Sequence, residues 1–472
     1  MQSVQRRKNQ MRARARRESL SLPMMILACY AIVVVFVIVL LLQLHVTGDR
    51  MRLGKPPLIL QILCQNYPKK PPEIYRNSSE WQYAGYIRRN DTVLFSAFLD
   101  ERMIDGSKGV VRVFGFADSV AENAPFHCQL WYKGEAIPVI RRAQLSQIGG
   151  GHRIGDSYFI EYLFSCSGVY HKESGPSHVS IVPNDCGEAG NLLLVHTPTT
   201  PKVRHFGLCV PPSPSPNPTT LDLIEWLESN RRFGVSRVHY YYMDVTEDIR
   251  KVLNYYENGG FVRRVKMASP LSINNDVVTR LAAIIAMNDC MYRNMESFRY
   301  LMVLFPDEIV VPKRHQTYHK LLEAVSDVAG YGSKQPVKSF TFRSATFWTN
   351  LSWPKTEGLR LFHNLFRSAP SPFLYQSRSF VSPKFCISVF ENYCWMKMPL
   401  GAEKWTVDVN EAMALKHHYM PCVNCKMTGG ALYRDLSVLR FRKYLKFTIL
   451  DAMHKILQHS ANRTKRVTAE IS

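Results

Sequence analysis

The sequence predicts an α/β chain with a mainly parallel sheet, preceded by a β-rich region and, at its start, a transmembrane helix. Three observations carry this expectation. Leu22 to Leu42 is an apolar run without a charge. Residues 91–210 hold short β-branched and aromatic runs separated by Gly and polar turns, the pattern of a mainly β region. Beyond Pro211, β-rich runs alternate with helical periodicity, which predicts βαβ units and right-handed crossovers.

The apolar run of 21 residues is as long as a helix needs to cross a bilayer core. A signal peptide is the rival reading, but its apolar region is shorter and ends in small residues, whereas this run continues into Gln43-Leu-His-Val. Seven Lys and Arg precede it, which places residues 1–21 in the cytosol as a basic tail and the remainder outside. The chain carries a net charge of +22. A basic surface in a lumen points to anionic ligands such as sugar nucleotides, acidic glycans or lipid headgroups rather than to nucleic acid. Scattered charge of this kind is equally a solvated face with no partner.

Ten of the 11 cysteines follow the apolar run, as do four acceptor sites for N-glycosylation at Asn77, Asn90, Asn350 and Asn462. An even cysteine count in an oxidising compartment predicts disulfides, with the pairing open. Cys422-Val-Asn-Cys425 has zinc-ligand spacing but no second pair accompanies it, so disulfide use is the reading preferred.

Residues 43–90, rich in Pro and polar groups, read as a stem. Residues 91–210 read as the β-rich part, with strands at Thr92, Gly109, His127, Tyr158 and His178. Pro211-Pro-Ser-Pro-Ser-Pro-Asn-Pro218 reads as a stiff connector, residues 219–450 as the α/β domain, and residues 451–472 as a C-terminal tail. Thr220 and Thr246 are candidate N-caps, Gly259-Gly260 a helix stop, and a further helix covers about 274–290. Arg299-Tyr-Leu-Met-Val-Leu-Phe is a buried strand that breaks at Pro306-Asp307-Glu308.

In open α/β sheets ligands sit beyond the carboxyl ends of the strands, where Asp244, Asp307 and Glu308 are expected. Carboxylates there suit a hard divalent cation that also holds diphosphate oxygens. A plain turn after a proline is the competing account of Asp307 and Glu308.

Ala286-Met-Asn-Asp-Cys-Met-Tyr-Arg293, the apolar strand after it, and Pro306-Asp-Glu-Ile-Val-Val-Pro312 together resemble glycosyltransferase family 92. Phe95-Ser-Ala-Phe-Leu-Asp-Glu-Arg102, Val111-Arg-Val-Phe-Gly115, His239-Tyr-Tyr-Tyr and Ala414-Leu-Lys-His-His-Tyr419 extend the resemblance over about residues 92–450, in order. It implies a nucleotide-binding A-type glycosyltransferase domain, inverting transfer of galactose from UDP-galactose, Mn2+ as cofactor, and a glycan or glycoprotein acceptor such as a fucose on an N-glycan core. It also implies a single-pass type II protein of the Golgi membrane. Asp307, Glu308 and His418 are then the candidate metal ligands, and Asp244, Asn288, Asp289 and Arg293 the candidate contacts to donor or acceptor. Asp408 and Glu411 are the candidate catalytic carboxylates, with Glu391 a rival. Phe305 stands where the family's metal motif has its first acid. That departure admits a non-catalytic, lectin-like alternative.

Overall fold

The computed structural model describes residues 81–84, 92–102, 109–119, 125–171, 174–197, 203–214, 218–271, 276–330, 337–349, 358–391, 393–398, 405–422 and 432–471. The basic tail, the expected membrane helix over 22–42 and most of the expected stem lie outside the described residues. Among the described residues no helix is long and apolar enough to cross a membrane. Residues Pro68–Ser472 form one compact unit.

Seven strands close a barrel: β1 (Thr92–Asp100), β2 (Val110–Asp118), β3 (His127–Trp131), β4 (Val139–Gln147), β5 (Ser157–Ser167), β6 (His178–Val182) and β7 (Leu193–His196). Their order is β1-β2-β5-β4-β3-β6-β7, and β7 pairs back onto β1. Every residue of β1 and β2 is buried, because each strand serves two cores. Successive side chains point to opposite faces. Leu94, Ala97 and Leu99 fill the barrel interior, whereas Val93, Phe95 and Phe98 face outward onto helix residues 281–292. A bulge between Leu94 and Ser96 resets the alternation. Trp81, at the end of the expected stem, is buried against Phe95 and Phe116, with ring centroids 4.7 and 5.5 Å away.

The remainder is built on a seven-stranded mixed sheet of β8 (Arg204–Val210), β9 (Arg237–Tyr242), β10 (Val262–Lys266), β11 (Phe298–Val303), β13 (Ser339–Phe342), β15 (Arg378–Val381) and β18 (Thr406–Val409). Its order is β10-β9-β8-β11-β15-β13-β18. Beside it lies a smaller sheet that includes β12 (Glu308–Pro312), β14 (Ser344–Trp348) and β19 (Ala414–Met420). β16 (Cys386–Phe390) and β17 (Tyr393–Lys397) form a separate hairpin. Among the described residues six α-helices complete the unit: α1 (Thr220–Phe233), α2 (Glu247–Asn258), α3 (Asp276–Arg293), α4 (Tyr318–Val328), α5 (Arg360–His363) and α6 (Arg442–Ile471).

Local chemistry sets the helix ends. The Thr219 hydroxyl, one residue before the expected cap, accepts the Asp222 N–H at 3.1 Å; Thr246 does the same for Ile249 at 3.4 Å. Gly234, at φ 104°, ends α1 in the left-handed region that a glycine enters without a Cβ penalty.

The expected α/β class with a mainly parallel sheet is corrected by this architecture. The chain is mostly β, with more residues in strands than in helices. It contains a closed seven-stranded barrel, and most pairings are antiparallel in the barrel, the smaller sheet and the hairpin. A parallel pair needs a crossover of a dozen or more residues. Among the described residues α1, α2 and α3 provide such crossovers between successive strands, giving the parallel run β10-β9-β8-β11, while the parallel pairs β13–β18 and β14–β19 join strands far apart in the chain. β15 joins antiparallel to β11 and β13. Strand–helix alternation with parallel pairing thus describes residues 204–303 and not the chain as a whole.

Three disulfides join pairs of described residues. Cys128–Cys166 joins β3 to β5, Cys209–Cys290 joins β8 to α3, and Cys386–Cys394 closes the β16–β17 hairpin. Cys186 and Cys422 are disulfide-bonded as well.

Candidate active site

The break after β11 is a tight turn. The Glu308 N–H donates to the Phe305 carbonyl at 3.0 Å, with Pro306 and Asp307 at the two central positions. The turn sends its two carboxylates apart. Glu308 opens β12 with its side chain inward, where Oε2 accepts Arg378 Nε at 2.8 Å and Oε1 accepts Lys416 Nζ at 2.5 Å. Burial pushes this carboxyl up, but the charges of Arg378 and Lys416 outweigh it and hold it at about 2. Both oxygens are therefore committed to protein cations, and Glu308 does not face the cleft beside it as a free ligand. The Phe305 ring lies under the Arg378 guanidinium, 5.3 Å from its centre.

Asp307 points the other way. It lines an open cleft at the carboxyl ends of β8, β9 and β11. The pairing of β12 with β19 sets Glu308 opposite His418. His418 Nε2 lies 3.5 Å from Asp307 Oδ2, and both side chains are partly exposed. Metal bonds of about 2.0–2.2 Å put two ligands of one ion roughly 3.0–3.5 Å apart at angles of about 90–109°. The Asp307–His418 pair has that separation, and a carboxylate with an imidazole suits a divalent first-row cation. Among the described residues no group of three or more His, Cys, Asp or Glu side chains could hold a metal. Asp307 and His418 are thus only two ligating side chains, and an ion held by them would have to take its remaining positions from water and ligand oxygens. His417 plays a different part: it is buried, stacks on Phe347 at 3.8 Å, and burial pushes its imidazole down to about 3.

The cleft is also lined by Tyr240, Tyr242 and Asp244 from the end of β9, and by Val210 to Ser213 after β8. The first residues of the expected connector are thus part of the cleft wall. Arg360 supplies its cation. Its Nη2 donates to the Pro306 carbonyl at 2.6 Å, and its guanidinium lies 5.2 Å from the Tyr419 ring centre. Sequence reasoning missed Arg360 because no local signal marks it. Its position is set by buried Glu225 in α1, which accepts the N–H groups of Arg360 and Leu361 at 2.9 and 2.8 Å across a separation of 135 and 136 residues.

Burial pushes Glu225 up to about 7, outweighing those hydrogen bonds and the charge of Arg360. A carboxyl raised above its unfolded value of 4.5 contributes stability that is present below pH 4.5 and lost as pH rises through about 7. Glu225→Gln is therefore expected to flatten the fall in melting temperature between pH 5 and 8. Equal slopes in the two proteins would show that Glu225 does not titrate in this range.

The other expected site residues lie elsewhere. Asn288 is buried in α3 and pins the β16–β17 hairpin, donating to the Val389 carbonyl and accepting its N–H, both at 2.9 Å. Asp289, also buried, accepts Tyr241 and Arg293 at 2.7 Å each. Arg293 continues to His196 of the barrel at 3.1 Å. Asn288, Asp289 and Arg293 thus form a junction between α3, the barrel and the hairpin, behind the cleft. Asp408 sits on β18, at the far edge of the seven-stranded sheet, where Arg343 grips it with Nη2 at 2.6 Å. Glu411 is exposed in the turn that follows. A general base must come within hydrogen-bond reach of the proton it removes, and the structure does not bring Asp408 or Glu411 to the cleft.

Residues 204–448, slightly more than half of the chain, match the profile of glycosyltransferase family 92. The match begins at β8, the strand at the centre of the parallel run. No curated protein matches the chain.

Proposed function

We propose, from the premise that the chain belongs to glycosyltransferase family 92 and is a glycosyltransferase, that it transfers galactose from UDP-galactose to a saccharide hydroxyl with inversion. The observation that carries this reading is the cleft at the ends of β8, β9 and β11, lined by Asp307, Arg360, Tyr242 and Asp244, with His418 Nε2 3.5 Å from Asp307 Oδ2. Tyr242 and Asp244 would offer a ring face and an acceptor oxygen to the nucleoside. Arg360 faces the diphosphate as a fixed cation, held in place by the Pro306 carbonyl. Asp307 and His418 would hold Mn2+, which supplies Lewis-acid neutralisation of the departing diphosphate.

In the reaction the acceptor oxygen bonds to the anomeric carbon, the bond from that carbon to the diphosphate breaks, and UDP leaves with the electron pair. The acceptor proton passes to a base within hydrogen-bond reach. Galactose, uridine and a fucosylated N-glycan acceptor follow from the sequence resemblance. The disulfides suit an oxidising lumen, consistent with the Golgi.

Phe305 under Arg378, with Glu308 locked between two cations, favours a second reading in which the fold binds glycan without turnover. Incubating the purified full-length chain with UDP-galactose, Mn2+ and a fucosylated N-glycan separates the two. Transfer with release of UDP is expected. Glycan binding with no release of UDP would favour the second reading.

A further inference from the structure

Three arginines stand together at the amino end of the parallel run, the end away from the cleft. Arg204 opens β8, Arg237 opens β9, and Arg263 is the second residue of β10. Strand register puts the last two on one face. Arg263 pairs directly with His239, and Arg237 precedes His239 by two residues. Residues paired across strands, or two apart along one, share a face, so the two arginines flank His239 at Cα spacings of about 4.8 and 6.6 Å. Arg204 reaches the same face from β8. Its guanidinium lies 5.9 Å from the centre of the Phe298 ring, and Phe298 meets His239 edge to face at 5.9 Å.

The carboxylates near this group are spent on other cations. Glu257 is held by Arg264 at 2.5 Å, and Asp289 by Arg293 at 2.7 Å. Burial pushes the Arg237 guanidinium down, and the charges of Arg204 and Arg263 push it further with no carboxylate opposing them. The Gly260 carbonyl accepts its Nε–H at 3.3 Å and fixes its place. Beneath the arginines His239 is 2% exposed, and its Nε2 has no hydrogen-bond partner. Burial, with Arg263 and Arg237 beside it, pushes this imidazole down to about 3. A buried polar nitrogen left unpaired is costly, and a neutral imidazole can carry its one N–H there. Arg204 and Arg237 are half-buried and Arg263 is exposed, so the group is open to solvent.

We propose that Arg204, Arg237 and Arg263, over His239, bind the oxyanion of a phosphate monoester at a site separate from the donor cleft. Guanidinium forks donate paired N–H groups to phosphate oxygens. Three of them without a counter-ion suit a group that carries close to two negative charges better than they suit a carboxylate. Position separates this site from the cleft: Tyr242, which lines the cleft, lies five residues beyond Arg237, about 16 Å along the strand. The inference does not depend on the glycosyl-transfer reading.

Calorimetry with inorganic phosphate on the full-length chain, at constant ionic strength, tests the site. Arg237→Gln and Arg263→Gln are each expected to weaken phosphate binding about tenfold, with UDP affinity unchanged. Arg263→Lys should recover part of the loss, since an ammonium keeps the charge without the fork. Arg263 is exposed, so its variants read the site without disturbing the fold. Lys443→Gln removes an exposed cation on α6 and should change nothing. Phosphate should also raise the melting temperature of the wild-type chain and not that of Arg263→Gln. Tighter binding of a hexose phosphate than of a short-chain phosphatidic acid assigns a sugar phosphate as the source; the reverse assigns a lipid headgroup. Wild-type phosphate affinity in both glutamine variants of the site would overturn the proposal. So would a wild-type chain that binds no phosphate, or an equal loss in Lys443→Gln, the mark of a diffuse basic surface.

Discussion

Glu308→Ala is expected to destabilise the fold by about 3–5 kcal/mol, the largest effect of any single substitution considered. The carboxylate is 3% exposed and holds Arg378 and Lys416, whose side chains are 8% and 1% exposed. Removing it leaves two buried cations facing each other without a counter-ion. Burial alone pushes the Lys416 ammonium down, and the Glu308 charge opposes that shift, so the loss falls on both partners. The same arrangement sets a pH dependence. Because the folded carboxyl is held at about 2, below its ordinary 4.5, its contribution is present above pH 4.5 and lost as pH falls toward 2. Urea unfolding of the purified variant at neutral pH measures the loss. A change under about 1 kcal/mol would mean that the two cations find other partners or water and that Glu308 is not what holds them.

Asp307→Ala should act in the opposite manner, with little effect on stability and a large one on turnover. Its side chain is 38% exposed, and surface changes of this kind stay within about 0.5 kcal/mol. Lewis-acid neutralisation of a departing diphosphate is worth several kcal/mol, so losing a ligand of the cation is expected to lower kcat about a thousandfold. His418→Ala should weaken the manganese response in the same direction. His417→Ala should leave that response unchanged and lower stability instead, since its neutral ring is stacked on Phe347 and its Nδ1 lies 3.0 Å from the Tyr419 hydroxyl. Two neighbouring histidines thus give opposite signatures in melting temperature and in manganese titration. Equal effects on both readouts would remove His418 from the site.

The sequence was most legible where structure is local. Residues 92–99, 178–182 and the βαβ stretch from Thr219 to Val303 carry their own caps, stops and periodicity, and their strands and helices form close to where those signals put them. It was least legible where strands are recruited from a distance. Arg204–Val210 lies at the centre of the parallel run yet reads as the tail of the β-rich part, because its neighbours β9 and β11 come later in the chain. Val139–Gln147 lies within the barrel with Arg141, Arg142 and Gln144 in the strand, so it lacks the apolar run that marks a strand in isolation. Closure by the β7–β1 pair has no local trace at all.

The site divides along the same line. Asp244 and Asp307 were legible as residues at strand ends, and the turn at Pro306 follows from proline chemistry. The commitment of Glu308 to Arg378 and Lys416, 70 and 108 residues later, was not legible, because two cations must converge before that carboxylate is spent. Asn288, Asp289 and Arg293 form a dense polar motif, and such a motif reads as a binding site until the burial of α3 shows what its hydrogen bonds hold together.

The central claim is that Asp307 and His418 hold a divalent cation together with the donor diphosphate, and Mn2+ binding followed by calorimetry with and without UDP tests it most directly. The account predicts weak Mn2+ binding alone, at least tenfold tighter binding in the presence of UDP, and loss of that enhancement in Asp307→Ala while the melting temperature stays at the wild-type value. UDP affinity that is identical in Mn2+ and in EDTA, and identical again in Asp307→Ala, would contradict it.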